Sequence, residues 1–176
     1  MIVGITGGTG SGKTTLLKSI EARGGLILDC DAIYHELLRS DDSMLAAISN
    51  RFPGTVENGA LNRITHAAVR QEVLRRLETA PDLAAIDAIG LFEGGLAELC
   101  DVTVAVTAPE KDRIARLMQR DGITEEYARN RIRAQHDEQW FRERCDYVLV
   151  NDGKLDAFAT NCLAFLHTLG IMKENS

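Results

Sequence analysis

Two rhythms of apolar and polar positions alternate along the chain. Five short apolar runs, rich in β-branched residues and bounded by turn residues, read as buried strands: IVGIT (2–6), LILDC (26–30), LAAID (83–87), VTVAV (102–106) and DYVLV (146–150). Between them the apolar residues recur at helical spacing. Strand and helix in alternation predict an α/β protein, with five parallel strands forming a sheet covered by helices on both faces.

The intervals between runs are unequal. One helix at about 13–22, ended by Gly24 and Gly25, joins the first two strands. Residues 31–82 separate the second and third runs, far more than one crossover helix needs. Helical patterning covers 31–39, 42–51 and 61–78 there, with a turn at RFPGTVENG (51–59). A second excursion follows the fourth run. PEKDRIARLMQRDG (109–122) and ITEEYARNRIRAQHDEQWFRERC (123–145) predict two charged helices, the first opened by Pro109 and closed by Gly122, the second capped by Thr124. A single domain is expected over 1–176. Its core would be about 1–30, 83–108 and 145–176, with a helical insertion at about 31–82 and a helical lid at about 109–144.

Composition narrows the class of molecule. With 176 residues, 45% apolar and 26% charged, the chain can build one self-sufficient core. No apolar run approaches the roughly 20 residues of a membrane span, and MIVGIT is too short and too uncharged for a secretory signal. A cytoplasmic protein without a membrane partner is expected. Cys30, Cys100, Cys145 and Cys162 show no metal or redox spacing and are expected as reduced core residues. A net charge of −6 argues against nucleic acid as a partner. Yet Lys111, Arg113, Arg116, Arg120, Arg129, Arg131, Arg133, Arg142 and Arg144 crowd one stretch, which can draw an anion to part of an acidic molecule.

The chemistry concentrates in GGTGSGKTT (7–15), directly behind the first run. Gly7, Gly12, Lys13 and Thr14 satisfy G-x-x-x-x-G-K-[ST] between a predicted strand and a predicted helix. Glycines let backbone N–H groups converge on an anion without a Cβ in the way, and the following helix adds partial positive charge. Such a loop wraps a triphosphate with Gly8, Thr9, Gly10, Ser11, Gly12, Lys13, Thr14 and Thr15; Lys13 reaches the β- and γ-phosphates, and the Thr14 hydroxyl ligates Mg²⁺. A plain strand-to-helix turn would not need so many glycines. GTPases are disfavoured because the last strand is followed by NDGK (151–154) rather than a guanine-reading N-K-x-D, and no transport-ATPase signature is present. Two helical excursions fit a small-molecule kinase, one holding the acceptor and the other closing over ATP.

Seven collinear segments carry a more specific likeness: GITGGTGSGKTT (4–15), LDCDAIYHELL (28–38), NGALNR (58–63), IDAIGLFEGGL (86–96), CDVTVAVTAPEKDRIARLMQRDGIT (100–124), RIRAQ (131–135) and CDYVLVNDG (145–153). Together they resemble the dephospho-coenzyme A kinase family, which transfers the γ-phosphate of ATP to the 3′-hydroxyl of dephospho-CoA in the last step of coenzyme A biosynthesis. The resemblance implies a P-loop NTPase fold of three α/β/α layers, ATP and Mg²⁺ as cofactors, and dephospho-CoA as a small-molecule partner; a monomer is favoured, although the sequence itself does not fix the oligomeric state.

The resemblance also assigns roles. Asp31 would orient or deprotonate the attacking hydroxyl; its position equally allows it to cap a helix starting at Ala32. Asp29 would be structural or a partner of Mg²⁺ through water. Asp87 would hold the metal's water shell, or accept backbone N–H groups of the following turn. Glu93 would pair with an arginine of the lid or acceptor site, or serve as a first-turn helix charge. Arg116 and Arg120, matching R-x-x-x-R-D, would close on the transferring phosphoryl group, while Arg129, Arg131 and Arg144 read as a solvated helix face. Arg63 and His66 fall on the acceptor side, and Asn151 and Gly153 in the loop beside adenine.

Two departures stand out. His66 matches the histidine of the family's L-H-P, but Ala67 replaces the proline and the helical segment normally preceding it is missing. The family's A-P-L-L-F-E is here AIGLFE (88–93), which removes a proline that stiffens the turn. The shortened acceptor-side insertion leaves as an alternative a kinase of another nucleoside or small metabolite, and the altered strand-three loop leaves an ATP-binding regulatory relative without catalysis.

Overall fold

Five parallel strands form one sheet in the order β2-β3-β1-β4-β5: β1 (Ile2–Thr6), β2 (Leu26–Asp29), β3 (Ala84–Asp87), β4 (Val102–Thr107) and β5 (Tyr147–Val150). They belong to a computed structural model that describes residues 1–40, 58–153 and 155–172. Ile5 and Asp29 are both in register with Asp87. The carboxyl ends of three neighbouring strands are therefore level, and the loops behind them open on one crevice, as in other open α/β sheets.

Strand alternation distributes the side chains between two layers. Val3, Ile5, Ala85, Val104 and Val106 face one side and pack with Leu16 and Ile20 of α1 (Lys13–Glu21) and with Phe158, Cys162, Phe165 and Leu166 of α7 (Leu155–Thr168). Leu28 and Ile86 face the other. They meet Ile33 of α2 (Cys30–Ser40), Val69 and Val73 of α3 (Asn58–Leu77), and Leu91 and Leu96 behind β3. Between β4 and β5 lie α4 (Glu110–Asp121), α5 (Glu125–Arg133) and α6 (Glu138–Arg144). Ile114 and Leu117 of α4 bury against Ala128 and Ile132 of α5, giving this segment a small core of its own.

All five expected strands are present, with ends shifted by a residue. Cys30 leaves β2 and opens α2 because the Asp29 carboxylate accepts the N–H groups of Asp31 and Ala32 at 2.9 and 3.0 Å, which is a helix cap. Asp146 stays out of β5 because its carboxylate accepts from the backbone and hydroxyl of Thr103, at 2.8 and 2.7 Å. The helix expected over 123–145 is two helices. Thr124 caps the first, accepting from the Tyr127 N–H at 3.3 Å. Asp137 accepts from the Trp140 N–H at 2.8 Å and starts the second, a competing cap inside an otherwise continuous helical pattern. The helix expected at 42–51 and most of the turn at 51–59 lie outside the described residues; Asn58 and Gly59 open α3. The four cysteines are free thiols, Cys30 and Cys162 buried and Cys100 and Cys145 half-buried. No helix among the described residues is long and apolar enough to cross a membrane.

The apolar face of α7 was not anticipated, yet Phe158 is 2% exposed and sits in the layer that backs the glycine-rich loop. Replacing it with alanine is expected to lower the unfolding free energy by about 3–5 kcal/mol, read from urea denaturation with an unchanged slope. A loss below 1 kcal/mol would show that α7 is not part of the cooperative core.

Candidate active site

Residues 7–12 turn through positive φ at Gly7, Gly10 and Gly12, the last at 107°. Gly12 is confined twice, since a Cβ there would also collide with the Asn151 carboxamide. The outcome of this path is a ledger of carbonyls. Gly7 O accepts from Lys13 Nζ at 3.0 Å, Gly8 O from the Ser11 N–H at 3.1 Å, and Thr9 O from Arg113 Nε at 2.9 Å. Gly10 O accepts from Arg116 Nη1 at 3.0 Å, Ser11 O from Asn151 Nδ2 at 2.8 Å and Arg116 Nη1 at 3.2 Å, and Gly12 O from the Thr15 N–H at 3.1 Å. Every carbonyl of the loop is thus engaged, mostly from outside. At the start of α1 the N–H groups of Lys13 and Thr14 have no preceding turn to bond. Amides, a helix N-terminus and the cationic side chains of Lys13 and Arg116 converge on one concavity, the arrangement that suits an anion.

Gln135 completes the outer clamp. Its Oε1 accepts from the Thr9 N–H at 2.9 Å and from Arg113 Nη2 at 2.8 Å, and its Nε2 donates to Thr9 Oγ1 at 2.7 Å. A Cβ on Gly8 would fall on the Arg113 guanidinium, so the contact between loop and α4 depends on that glycine. Burial lowers the Arg113 pKa, with Glu110 opposing. The guanidinium stays charged nonetheless.

Three carboxylates face the loop from the level ends of β2 and β3. Asp29 is spent on the α2 cap, so Asp31 is not the cap; it lies in the first turn of α2 with its side chain exposed. Asp87 is different. Its Oδ1 is buried without a hydrogen-bond partner, 4.0 Å from Lys13 Nζ. It therefore does not accept from the turn behind β3. Burial, opposed by Lys13 and reinforced by Asp29 and Asp31, pushes its pKa from an ordinary 3.8 to about 6.

A cleft of about 490 Å³ collects Thr9 to Thr14, Asp29, Asp31, Asp87, Arg116, Arg120 and Arg131. A second cavity, about 260 Å³, is walled by Cys30, Asp31, Tyr34, Thr65, His66, Val69 and Gly90. Burial first, then Asp87, pushes the Cys30 thiol up to about 12, so it is a neutral wall and not a nucleophile. Asp31 borders both spaces.

Several expectations shift. Arg116 does not hang free over the cleft but is held on the loop carbonyls. Arg120 bonds Asp121 at 2.6 Å, and Asp121 also takes Arg131 at 2.9 Å, so Arg131 belongs to the cleft wall rather than to a solvated face. Arg129 pairs with Glu125 and Glu110 on the outside, and Arg144 lies over the Trp140 ring at 4.3 Å. Glu93 meets His136 Nε2 at 2.6 Å, not an arginine. Asn151 is buried behind the loop, Gly153 is exposed, and Thr15 does not line the cleft. Gly8 lines a different space, and the Arg63 side chain is outside the described residues. Arg113 and Gln135 were not singled out. Arg113 lies in the segment 100–124 and Gln135 in RIRAQ (131–135), and nothing local says that either side chain will reach Thr9.

The dephospho-CoA kinase family model matches residues 1–64 and 57–157. A dephospho-CoA kinase of Corynebacterium diphtheriae is 32% identical over 180 residues, which takes in 88% of this chain and 90% of that protein. The chain belongs to the dephospho-CoA kinase family. Among solved structures, TT1252 from Thermus thermophilus has a TM-score of 0.77 at 30% identity, covering 96% of this chain and 97% of its own. The dephospho-CoA kinase from Campylobacter jejuni has a TM-score of 0.66 at 20% identity, covering 97% and 98%, a likeness of fold. The fold is thus the three-layer P-loop kinase fold. The alignment to the Corynebacterium family member is longer than this 176-residue chain although it omits part of it, so that relative carries residues absent here. The two family matches meet at 57–64, beside the missing L-H-P context.

The raised pKa of Asp87 has a sign that can be tested. Between about pH 4 and 6 the native state keeps a proton that the unfolded chain has released, so this group makes stability fall as pH rises, until the effect levels off above about 6. Asp87→Asn mimics the protonated acid. It is expected to be more stable than the parent at pH 7.5 by on the order of 2 kcal/mol, and no more stable at pH 3.5, in urea melts. An equal difference at both pH values would remove the burial argument.

Proposed function

We propose that this chain transfers the γ-phosphoryl group of ATP to the 3′-hydroxyl of dephospho-CoA, in the cytoplasm, releasing ADP and coenzyme A. One observation carries the reading: Asp31 belongs at once to the phosphate cleft and to the neighbouring cavity walled by His66 and Tyr34. A carboxylate on that border can touch an acceptor hydroxyl on one side while facing a terminal phosphate on the other.

The transfer is direct. The loop amides and Lys13 hold the β- and γ-phosphates, and the acceptor oxygen forms its bond to γ-phosphorus as the bond to the β,γ-bridging oxygen breaks. The hydroxyl proton passes to Asp31, and the electron pair of the broken bond leaves on ADP. Arg120 and Arg131, held by Asp121, spread the charge on the phosphoryl oxygens, and Arg116 keeps the loop's amides aimed. Segment 109–144 acts as the lid, rooted on Thr9 and closing at its arginine end.

The donor set fits Mg²⁺. Asp87 presents a buried oxygen without a partner, Thr14 presents a hydroxyl in the same cleft, and magnesium is bound through one or two such oxygens plus substrate phosphates. Thr14 and Asp87 would hold the ion, which neutralises charge on the β- and γ-phosphates when bound.

A kinase of a smaller acceptor is the competing reading, favoured by a cavity of only about 260 Å³ beside Asp31. ADP release measured with dephospho-CoA, AMP, shikimate and gluconate separates the two. Stimulation by dephospho-CoA alone is expected; none with it, but some with a smaller acceptor, would reassign the substrate. Asp31→Asn should lower kcat by about 10²–10⁴-fold with ATP affinity within a few fold of the parent. A variant that keeps its kcat would remove Asp31 from proton transfer.

A further inference from the structure

A third cavity of about 680 Å³ lies between the loop, the end of β4 and α6, with Gly8, Ser11, Thr107, Arg113, His136 and Trp140 in its wall. The phosphoryl-transfer scheme leaves the space itself unused, although Gly8, Ser11 and Arg113 in its wall belong to the phosphate loop and its clamp. Its polar features are incomplete. Ser11 Oγ and Thr107 Oγ1 are buried, in residues 1% and 5% exposed, and neither has a hydrogen-bond partner. Buried hydroxyls of this kind ordinarily find one.

The charges around the cavity are also unequal in their bonding. Its acids are already occupied: Glu110 pairs with Arg129 at 3.1 Å, Glu138 with Arg142 at 2.5 Å, and Asp137 accepts the Trp140 N–H at 2.8 Å. Arg113, by contrast, has only the neutral partners Thr9 O and Gln135 Oε1 and no carboxylate ion pair among the described residues. A half-buried guanidinium satisfied by neutral groups retains its attraction for an anion.

The aromatic wall supplies a surface for a flexible chain. The His136 and Trp140 rings stack 3.7 Å apart at an interplanar angle of 1°, and Phe92 meets Trp140 edge-on at 5.5 Å. His136 is tied to Glu93 Oε1. A Cβ built on Gly90 would lie 3.8 Å from Glu93 Oε2 and 4.0 Å from His66 Nε2. The Glu93–His136 pair therefore stands between the His66 cavity and this one.

We propose that this third cavity is the subsite for the diphosphate-pantetheine tail of the acceptor, with anionic groups at Arg113 and the two free hydroxyls and the amide chain across the His136–Trp140 stack. The proposal rests on the dephospho-CoA reading and explains how a chain with a short acceptor-side insertion accommodates it. The 260 Å³ space beside Asp31 takes a nucleoside; a ligand with a long additional chain needs more, since pockets for drug-sized ligands span about 300–1,000 Å³.

Trp140 is the only tryptophan in the chain, so its fluorescence reports on this wall alone. Dephospho-CoA and 4′-phosphopantetheine should each change the emission saturably, and AMP should not. In steady-state assays Trp140→Ala and Thr107→Val should each raise KM for dephospho-CoA by about three- to tenfold, with kcat and KM for ATP within twofold of the parent and the inhibition constant of AMP against dephospho-CoA unchanged. Trp140→Phe should restore most of the loss. If Trp140→Ala does not fold, Thr107→Val and the parent's fluorescence decide. The proposal is overturned if emission is unmoved by saturating dephospho-CoA, if KM is unchanged in the variants, or if the AMP constant rises in parallel with KM. Absence of any dephospho-CoA turnover in the parent overturns the substrate reading itself, whereas turnover with an unmoved Trp140 overturns only the tail subsite.

Discussion

A peptide that turns its carbonyl outward turns its amide inward, and the rest of this site depends on holding six consecutive residues to that choice. The loop cannot do so alone. Donors from Lys13, Arg113, Arg116 and Asn151 occupy the carbonyls of Gly7, Thr9, Gly10 and Ser11 from outside, and two short turn bonds occupy the others. Without them the carbonyl dipoles would be free to rotate into the concavity and repel the anion that the amides and the α1 terminus attract. The donors are predominantly cationic, so the groups that fix the geometry also supply the field.

Asp87 shows the opposite bargain. Its carboxylate is kept where burial resists its charge, and the nearby Lys13 only partly offsets that cost. Stability is given up at a position whose buried oxygen has no hydrogen-bond partner, a pattern familiar from functional sites. Asp29 and Asp31 illustrate how finely the same residue type is divided. Two residues apart, one is consumed by the helix cap and the other is left exposed on the border of two cavities.

Much of this was legible in the residues. The strands are short β-branched runs between turns, and a motif of glycines, Lys13 and Thr14 is local by nature, so both can be read from a window of a few residues. The break at Asp137 was missed because helical patterning persists across it, and only the capping bond to Trp140 shows that a new helix begins. For Glu93 the residues allow an arginine partner or a first-turn helix charge, and its histidine partner comes instead from a loop 43 residues away. The contacts that Gln135 and Arg113 make with Thr9 are not legible for the same reason. A neutral amide and one arginine among many carry no local mark of a long-range bond.

By itself the amino-acid order determined the alternation of strand and helix, the anion loop, and the family likeness, because these rest on periodicity, glycine conformational freedom and short motifs. Only the tertiary structure decided which of three neighbouring aspartates is capped, buried or free, which arginines brace the loop, and that Asp31 lies between two cavities. Those outcomes depend on strand register and on side chains brought together across 100 residues or more, as between Arg113 and Thr9 or Asn151 and Ser11. Burial and through-space electrostatics act on positions in space, and a linear pattern does not contain those distances.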